Sequence, residues 1–232
     1  MAKIIIVLGC HRSGTSMIAG VLSKMGVFMG DDLIMDTMPE NPKGYYEDRE
    51  AVAINAELLE AANGGWEDLP TTEEILEAAD RCPEFGQRMT DFIGKRSEAH
   101  HIWGWKDPRT MATFPAWMPH LEGHGVQLVT IQRKFSTVCE SIFVREKGDM
   151  PRQDVEDLVQ SYVERLDIIE QQTRYPCHSL QYEDVLLSPY SYVLGLSTAI
   201  NFRPRWGGIS MAAQHIDLSL NRTPGLIKEG MA

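Results

Sequence analysis

The segment Gly9-Cys10-His11-Arg12-Ser13-Gly14-Thr15-Ser16 follows directly on the apolar run Ile4-Ile5-Ile6-Val7-Leu8. A buried strand, a turn bounded by glycines and then a helix make the outline of a phosphate-binding loop. In such a loop, backbone N–H groups and the helix N-terminus attract anions. His11, Arg12, Ser13, Gly14, Thr15 and Ser16 are its candidate ligand residues. Arg12 adds a charge, and Thr15 and Ser16 add hydroxyl donors. The nucleotide-triphosphate version reads G-x-x-x-x-G-K-[ST]. Here Thr15 stands at the lysine position, and the nearest cation, Arg12, lies three residues upstream. The cradle is kept, but an ordinary ATP or GTP hydrolase is disfavoured. A plain strand–turn–helix connection is the alternative. The coincidence of strand, paired glycines, cation and Thr-Ser favours the anion site.

Arg133 stands just after a second apolar run, Val126–Ile131, and Ser141 follows eight residues later. A cation at a strand end and a hydroxyl two turns into the next helix are placed to hold a second phosphate. Taken alone, they read as a solvated arginine and a helix-surface serine.

Taken together, the two segments resemble the sulfotransferase family that uses 3′-phosphoadenosine 5′-phosphosulfate as donor. That family has a loop similar to P-K/R-S-G-T-[TS] after its first strand, matched here by Arg12-Ser13-Gly14-Thr15-Ser16. Its Arg, with a Ser eight residues on, is matched by Arg133 and Ser141. The usual Pro two residues after that Arg is Phe135 here. The resemblance implies that the loop holds the 5′-phosphosulfate and that Arg133 and Ser141 hold the 3′-phosphate. A third match is Gln181-Tyr182-Glu183-Asp184-Val185-Leu186 with Ser188-Pro189, similar to the family's Y-E-D-L…P segment. It implies that Tyr182 lies near the adenine. Glu183 and Asp184 also suit the first turn of a helix.

Trp103-Gly104-Trp105-Lys106-Asp107-Pro108-Arg109 carries a lysine at a strand end. Facing the loop, Lys106 is placed to neutralise charge on a transferring sulfonate. A salt bridge to Asp107 or another acid is an equal alternative. Cytosolic sulfotransferases have a histidine two residues after this lysine; Pro108 stands there instead, so no histidine-based mechanism carries over. An acceptor hydroxyl or amine must still lose a proton as it attacks sulfur, and relatives of bacterial and Golgi type use a carboxylate. Pro42-Lys43-Gly44-Tyr45-Tyr46-Glu47-Asp48 supplies one: Glu47 is the first candidate base, with Asp48 and Asp107 behind it. Both residues at 47–48 equally suit the N-terminus of the next helix. Among the C-terminal arginines Arg203, Arg205 and Arg222, Arg222 is the candidate for a further phosphate contact. His100-His101 lack a third ligand at a recognisable spacing, so no metal is expected. Met35 and Met38 read as loop packing.

The elements that must place these residues alternate between strand and helix. Strands are predicted at 3–8, 102–105, 126–131 and 179–181. Helices are predicted at 14–25, 49–62, 72–80, 84–99, after Arg133 to about 146, 152–174 and 189–200. The stretch 31–48 is predicted as a loop, and the tail from Asn201 as less regular. This alternation predicts an α/β, three-layer, P-loop-like fold with a central parallel sheet and helices on both faces. Ligands sit at the carboxyl ends of such strands, where every motif above falls. Residues 1–232 read as one domain, with 60–100 as a helical lid.

The composition is that of a soluble globular chain, 43% hydrophobic and 24% charged. A net charge of −11 argues against nucleic-acid binding. Cys10, Cys82, Cys139 and Cys177 form no CxxC pair and read as reduced thiols of a cytoplasmic protein. The first apolar run is too short for a signal peptide, and no run reaches membrane-spanning length. The expected partners are a small-molecule or carbohydrate acceptor, with a second copy of the chain also admissible. The rival functions are a P-loop nucleotide or small-molecule kinase and a non-catalytic nucleotide-binding module.

Overall fold

The computed structural model describes residues 2–36 and 41–220. The candidates Arg222 and Met38 lie outside the described residues. The elements in chain order are β1 (Lys3–Leu8), α1 (Thr15–Met25), β2 (Leu33–Ile34), β3 (Glu47–Asp48), α2 (Arg49–Ala61), α3 (Thr72–Arg81), α4 (Glu84–Ala99), β4 (Ile102–Lys106), α5 (Thr110–Trp117), β5 (Gly125–Gln132), α6 (Phe135–Arg145), α7 (Arg152–Gln172), β6 (Cys177–Gln181), α8 (Tyr182–Leu187), α9 (Pro189–Ala199) and α10 (Gly208–His215).

Four strands form one parallel sheet in the order β4-β1-β5-β6. The unbroken apolar run of β1 is explained by its central place, since both of its faces are covered. Side chains alternate along a strand, so Ile4, Ile6 and Leu8 enter one core while Ile5 and Val7 enter the other. The first core receives α2 to α7, including Ile54, Leu58, Phe92, Trp117 and Tyr162. The second receives α1, α8, α9 and α10, including Leu22, Val185, Leu196 and Ala212. Helices therefore cover both faces, as the alternation of elements predicts. Each fully buried Ile, Val or Leu contributes about 1.5–3 kcal/mol of transfer free energy, and β1 alone supplies five such side chains.

Three elements depart from the sequence prediction. The stretch 31–48 contains a short antiparallel ladder, with Leu33 opposite Asp48 and Ile34 opposite Glu47. The tail contains α10, whose Ile209, Ala212 and Ala213, with the following Ile216, recur at helical spacing and pack in the second core. Helix α5 has no polar stripe because it is buried all round, with Met111, Ala112, Phe114 and Trp117 in the core. A helix without an amphipathic period gives little signal.

Within the stretch 60–100, α3 and α4 place Ile75, Ala78, Phe85, Met89 and Phe92 in the first core. Trp103, Trp105 and Trp117 surround the Phe92 ring at 5.6–5.7 Å between centroids. This packing fixes β4, and with it the position of Lys106 at the strand's end.

Candidate functional site

A cavity of about 460 Å³ opens at the carboxyl ends of the sheet strands. The loop after β1 forms its floor. Gly14 precedes α1 with a φ of 105°, in the left-handed region, and no side chain caps the helix there. The first N–H groups of α1 therefore have no intrahelical partner and point toward the cavity end of the helix. A Cβ at Gly14 would lie 2.5 Å from the Tyr182 ring, so glycine is required for contact as well as for conformation. Ser13 turns away from the cavity. It is buried, and its Oγ donates to the Cys10 carbonyl at 2.7 Å. That bond closes the turn.

Arg12 also has a left-handed backbone, with a φ of 66°. Its Nε donates to Ser141 Oγ at 2.9 Å, and its carbonyl accepts from Arg133 Nη1 at 3.1 Å. The Arg133 guanidinium lies over the Tyr182 ring, 4.4 Å from its centroid. Burial raises the Tyr182 pKa above its ordinary value. Arg12, Arg133, Ser141 and Tyr182 come from three separate strand ends. They form one wall of the cavity together with Gly14, Thr15 and Ser16.

The opposite wall belongs to β4 and β3. Lys106 Nζ donates to Glu47 Oε1 at 2.5 Å, Ser16 Oγ at 3.2 Å and the Tyr45 carbonyl at 3.4 Å. The lysine near the first turn of α1 thus arrives from another strand. Glu47 Oε2 also lies 3.8 Å from Arg109 Nη1. Arg109 is aimed by Asp107, whose Oδ1 accepts from both the Arg109 N–H at 3.1 Å and Nη1 at 2.8 Å. Asn55 donates to Asp107 Oδ2 at 2.9 Å, and its own oxygen accepts from Thr113 and Trp117. Burial raises the Asp107 pKa, and the Arg109 charge opposes that rise.

The three candidate carboxylates are therefore placed differently. Glu47 lines the cavity. Asp107 is wholly buried beneath it and does not line it. Asp48 follows Glu47 in β3, so its side chain takes the opposite face. It caps α2 by accepting from the Glu50 N–H at 3.0 Å and pairs with buried Arg96 at 2.8 Å.

Several lining residues carry no distinctive sequence signal. Trp66, Arg145 and Glu146 close one side, with His11 packed on Trp66 at 4.9 Å between ring centroids. The rim is formed by Asn41, Lys43 and Gly44 on one side and by His215 and Asp217 on the other. Lys43 joins them, donating to the His215 carbonyl at 2.7 Å and pairing with Asp217 at 3.4 Å. Only chain reversal through α10 brings 215–217 here. Among the described residues, the lining holds six Lys or Arg (Arg12, Lys43, Lys106, Arg109, Arg133, Arg145) against Glu47, Glu146 and Asp217. In a chain of net charge −11, this concentration of cations gives the cavity a field that suits an anionic ligand. Among the described residues, no group of three His, Cys, Asp or Glu side chains is placed to hold a metal ion. No helix among them is long and apolar enough to cross a membrane.

No protein-family model and no curated protein sequence matches the chain. Solved structures do. The chain is similar to the sulfotransferase domain from the Synechococcus PCC 7002 olefin synthase, with a TM-score of 0.55 and 14% identity over 89% of this chain and 75% of that one. The sulfotransferase domain from the curacin biosynthetic pathway gives 0.54 and 16%, covering 90% and 77%. Sulfotransferase STF1 from Mycobacterium tuberculosis H37Rv gives 0.53 and 13%, covering 92% and 71%. At such identities the likeness is one of fold, and the three neighbours share it as sulfotransferase domains.

Proposed function

We propose that the protein is a sulfotransferase, moving a sulfonate group from 3′-phosphoadenosine 5′-phosphosulfate to a hydroxyl or amine. The observation that carries this reading is the meeting of Arg12, Ser141, Arg133 and Tyr182 around the N-terminus of α1. They come from three strand ends, in the arrangement that a donor with two separated anionic groups needs. The sulfotransferase-like fold supports the same reading. The donor supplies an activated sulfonate with adenosine 3′,5′-bisphosphate as its leaving group.

The residues divide into roles by position. The N–H groups of the loop, with Thr15 and Ser16, bind the 5′ anion. Arg133 and Ser141 bind the 3′-phosphate, and Tyr182 flanks the base. Glu47 takes the proton from the acceptor as its oxygen or nitrogen forms the new bond to sulfur and the donor's S–O bond breaks. Lys106 touches both Glu47 and Ser16, so it sits between base and anion. With Arg12 it offsets charge spreading over the sulfonate and leaving oxygens, as cations do in phosphoryl transfer. Glu47, Lys106 and Arg109 form a fixed set, so catalysis by positioning dominates.

The test is transfer of radiolabelled sulfonate from the donor to a panel of hydroxyl and amine acceptors. Labelled product, lost in Glu47→Gln, supports the reading. Tight bisphosphate binding with no turnover of any acceptor would favour a non-catalytic binding module.

A further inference from the structure

The scheme above leaves one side of the cavity without a role. There the His11 ring packs on Trp66 at 4.9 Å and edge-on to Tyr162 at 5.5 Å between centroids. Its Nε2 is buried and has no hydrogen-bond partner among the described residues. The positive charges of Arg109, Arg145, Lys106 and Arg12 all bear on this ring and reinforce burial in holding its pKa well below the ordinary value. His11 is therefore neutral near pH 7, at a point where four cationic fields add.

Arg145 lies one turn beyond Ser141 on α6, so both face the cavity. Its guanidinium rests on Trp66, 4.4 Å from the ring centroid. Its Nε is taken by Glu146 at 2.5 Å, but its Nη2 is buried without a partner among the described residues. Arg109 approaches from the opposite wall, aimed by Asp107. Buried polar groups left unmade are costly, and the Arg145 donor and the His11 ring nitrogen beside one indole are a pair that a single ligand oxygen can complete. In its Nε2–H tautomer His11 donates to that oxygen, as Arg145 does.

We propose that the corner formed by His11, Trp66, Arg109 and Arg145 binds an oxyanion carried by the acceptor. The acceptor class is then an anionic alcohol or amine, bearing a carboxylate or an existing sulfate or phosphate ester. The inference rests on the sulfotransfer reading for the word acceptor. Its geometric basis is the division of the cavity. Arg133 and Tyr182 stand on the side proposed for the adenosine, whereas Arg109 touches Glu47, so the corner adjoins the base.

Calorimetric titration of inorganic sulfate into the full chain, saturated with adenosine 3′,5′-bisphosphate, tests it. Sulfate should bind, and Arg145→Gln should weaken it about tenfold or more, the usual effect of removing a charged hydrogen bond. In parallel, the His11 resonance, assigned by its loss in His11→Asn, should titrate at higher pH once sulfate is added, because an anion favours imidazolium. That second measurement decides alone if Arg145→Gln does not fold. Parallel titrations with acetate and phosphate distinguish a carboxylate from an ester, and a preference for either supports the corner. Uptake of none of the three anions, or uptake that ignores Arg145 and leaves His11 unmoved, overturns the proposal. If the bisphosphate does not bind, the sulfotransfer reading fails separately. The same Arg145 and His11 dependence, measured with sulfate alone, then still decides the oxyanion corner.

Discussion

Arg12 Nε donates to Ser141 Oγ across 2.9 Å, and this bond ties the loop after β1 to the helix after β5. The Arg12 backbone is left-handed, a conformation that costs a non-glycine residue about 1–3 kcal/mol and persists only where neighbours hold it. Ser141 holds the side chain and Arg133 holds the carbonyl. Ser141→Ala should therefore weaken binding of adenosine 3′,5′-bisphosphate by about tenfold. The melting temperature should hardly change, since Ser141 is partly exposed on the cavity side. Calorimetry and thermal melting check both halves.

The neighbours Glu47 and Asp48 should separate by phenotype. Glu47→Gln should lower turnover by about 10²–10⁴-fold, the usual contribution of a general base, with bisphosphate affinity largely kept. Asp48→Asn keeps the cap on α2 but removes the charge beside buried Arg96. It should cost about 3 kcal/mol, the lower end for breaking a buried pair, because Glu50 and Asp31 still reach Arg96. Urea unfolding of both variants, with turnover measured alongside, distinguishes base from structural acid. Equal loss of turnover at unchanged stability in Asp48→Asn would contradict the assignment.

Gly14→Ala should abolish tight bisphosphate binding. The added Cβ meets the Tyr182 ring at 2.5 Å and forces an alanine to a φ of 105°. Moving Tyr182 also moves Arg133, which stacks on it. A loss exceeding tenfold is expected by calorimetry. An alanine variant that binds as the parent does would show that the Tyr182 contact is not held in solution.

Acid should destabilise the fold before the carboxylates titrate. Burial, then Lys43 and Lys24, lower the His215 pKa to about 4 from its ordinary 6.5. His11 is depressed in the same sense. Between these values the unfolded chain binds more protons than the folded one, so stability falls as pH falls from about 6.5 to about 4 and is unaffected by these groups above that window. His215→Gln should flatten part of this slope. Urea midpoints at about pH 7 and about pH 5, in parent and variant, measure it.

Most of the wall built by Arg12, Arg133, Ser141 and Tyr182 was legible from sequence because its signals are local. A strand, a glycine turn and a cation at Gly9–Ser16 are contiguous, and Arg133 to Ser141 is a short interval after a clear strand. The acidic pair at 47–48 was ambiguous because strand alternation sends adjacent side chains to opposite faces, and only the ladder with Leu33–Ile34 decides which faces the cavity. Trp66, Arg145 and His215 gave no motif. They reach the site through the packing of distant helices, as α10 shows by laying 209–216 against α1. The partner of Lys106 was likewise hidden. Asp107 is its neighbour in sequence, yet Glu47 is its partner in space.

The central claim is that the cavity binds a nucleotide with a 3′-phosphate and a 5′ anion, rather than a nucleoside triphosphate. Side-by-side calorimetry of adenosine 3′,5′-bisphosphate and Mg²⁺–ATP tests it most directly. The account predicts that the bisphosphate binds, that Arg133→Ala abolishes this binding, and that Mg²⁺–ATP does not bind. Tight binding of Mg²⁺–ATP with none of the bisphosphate would contradict it and point to a kinase.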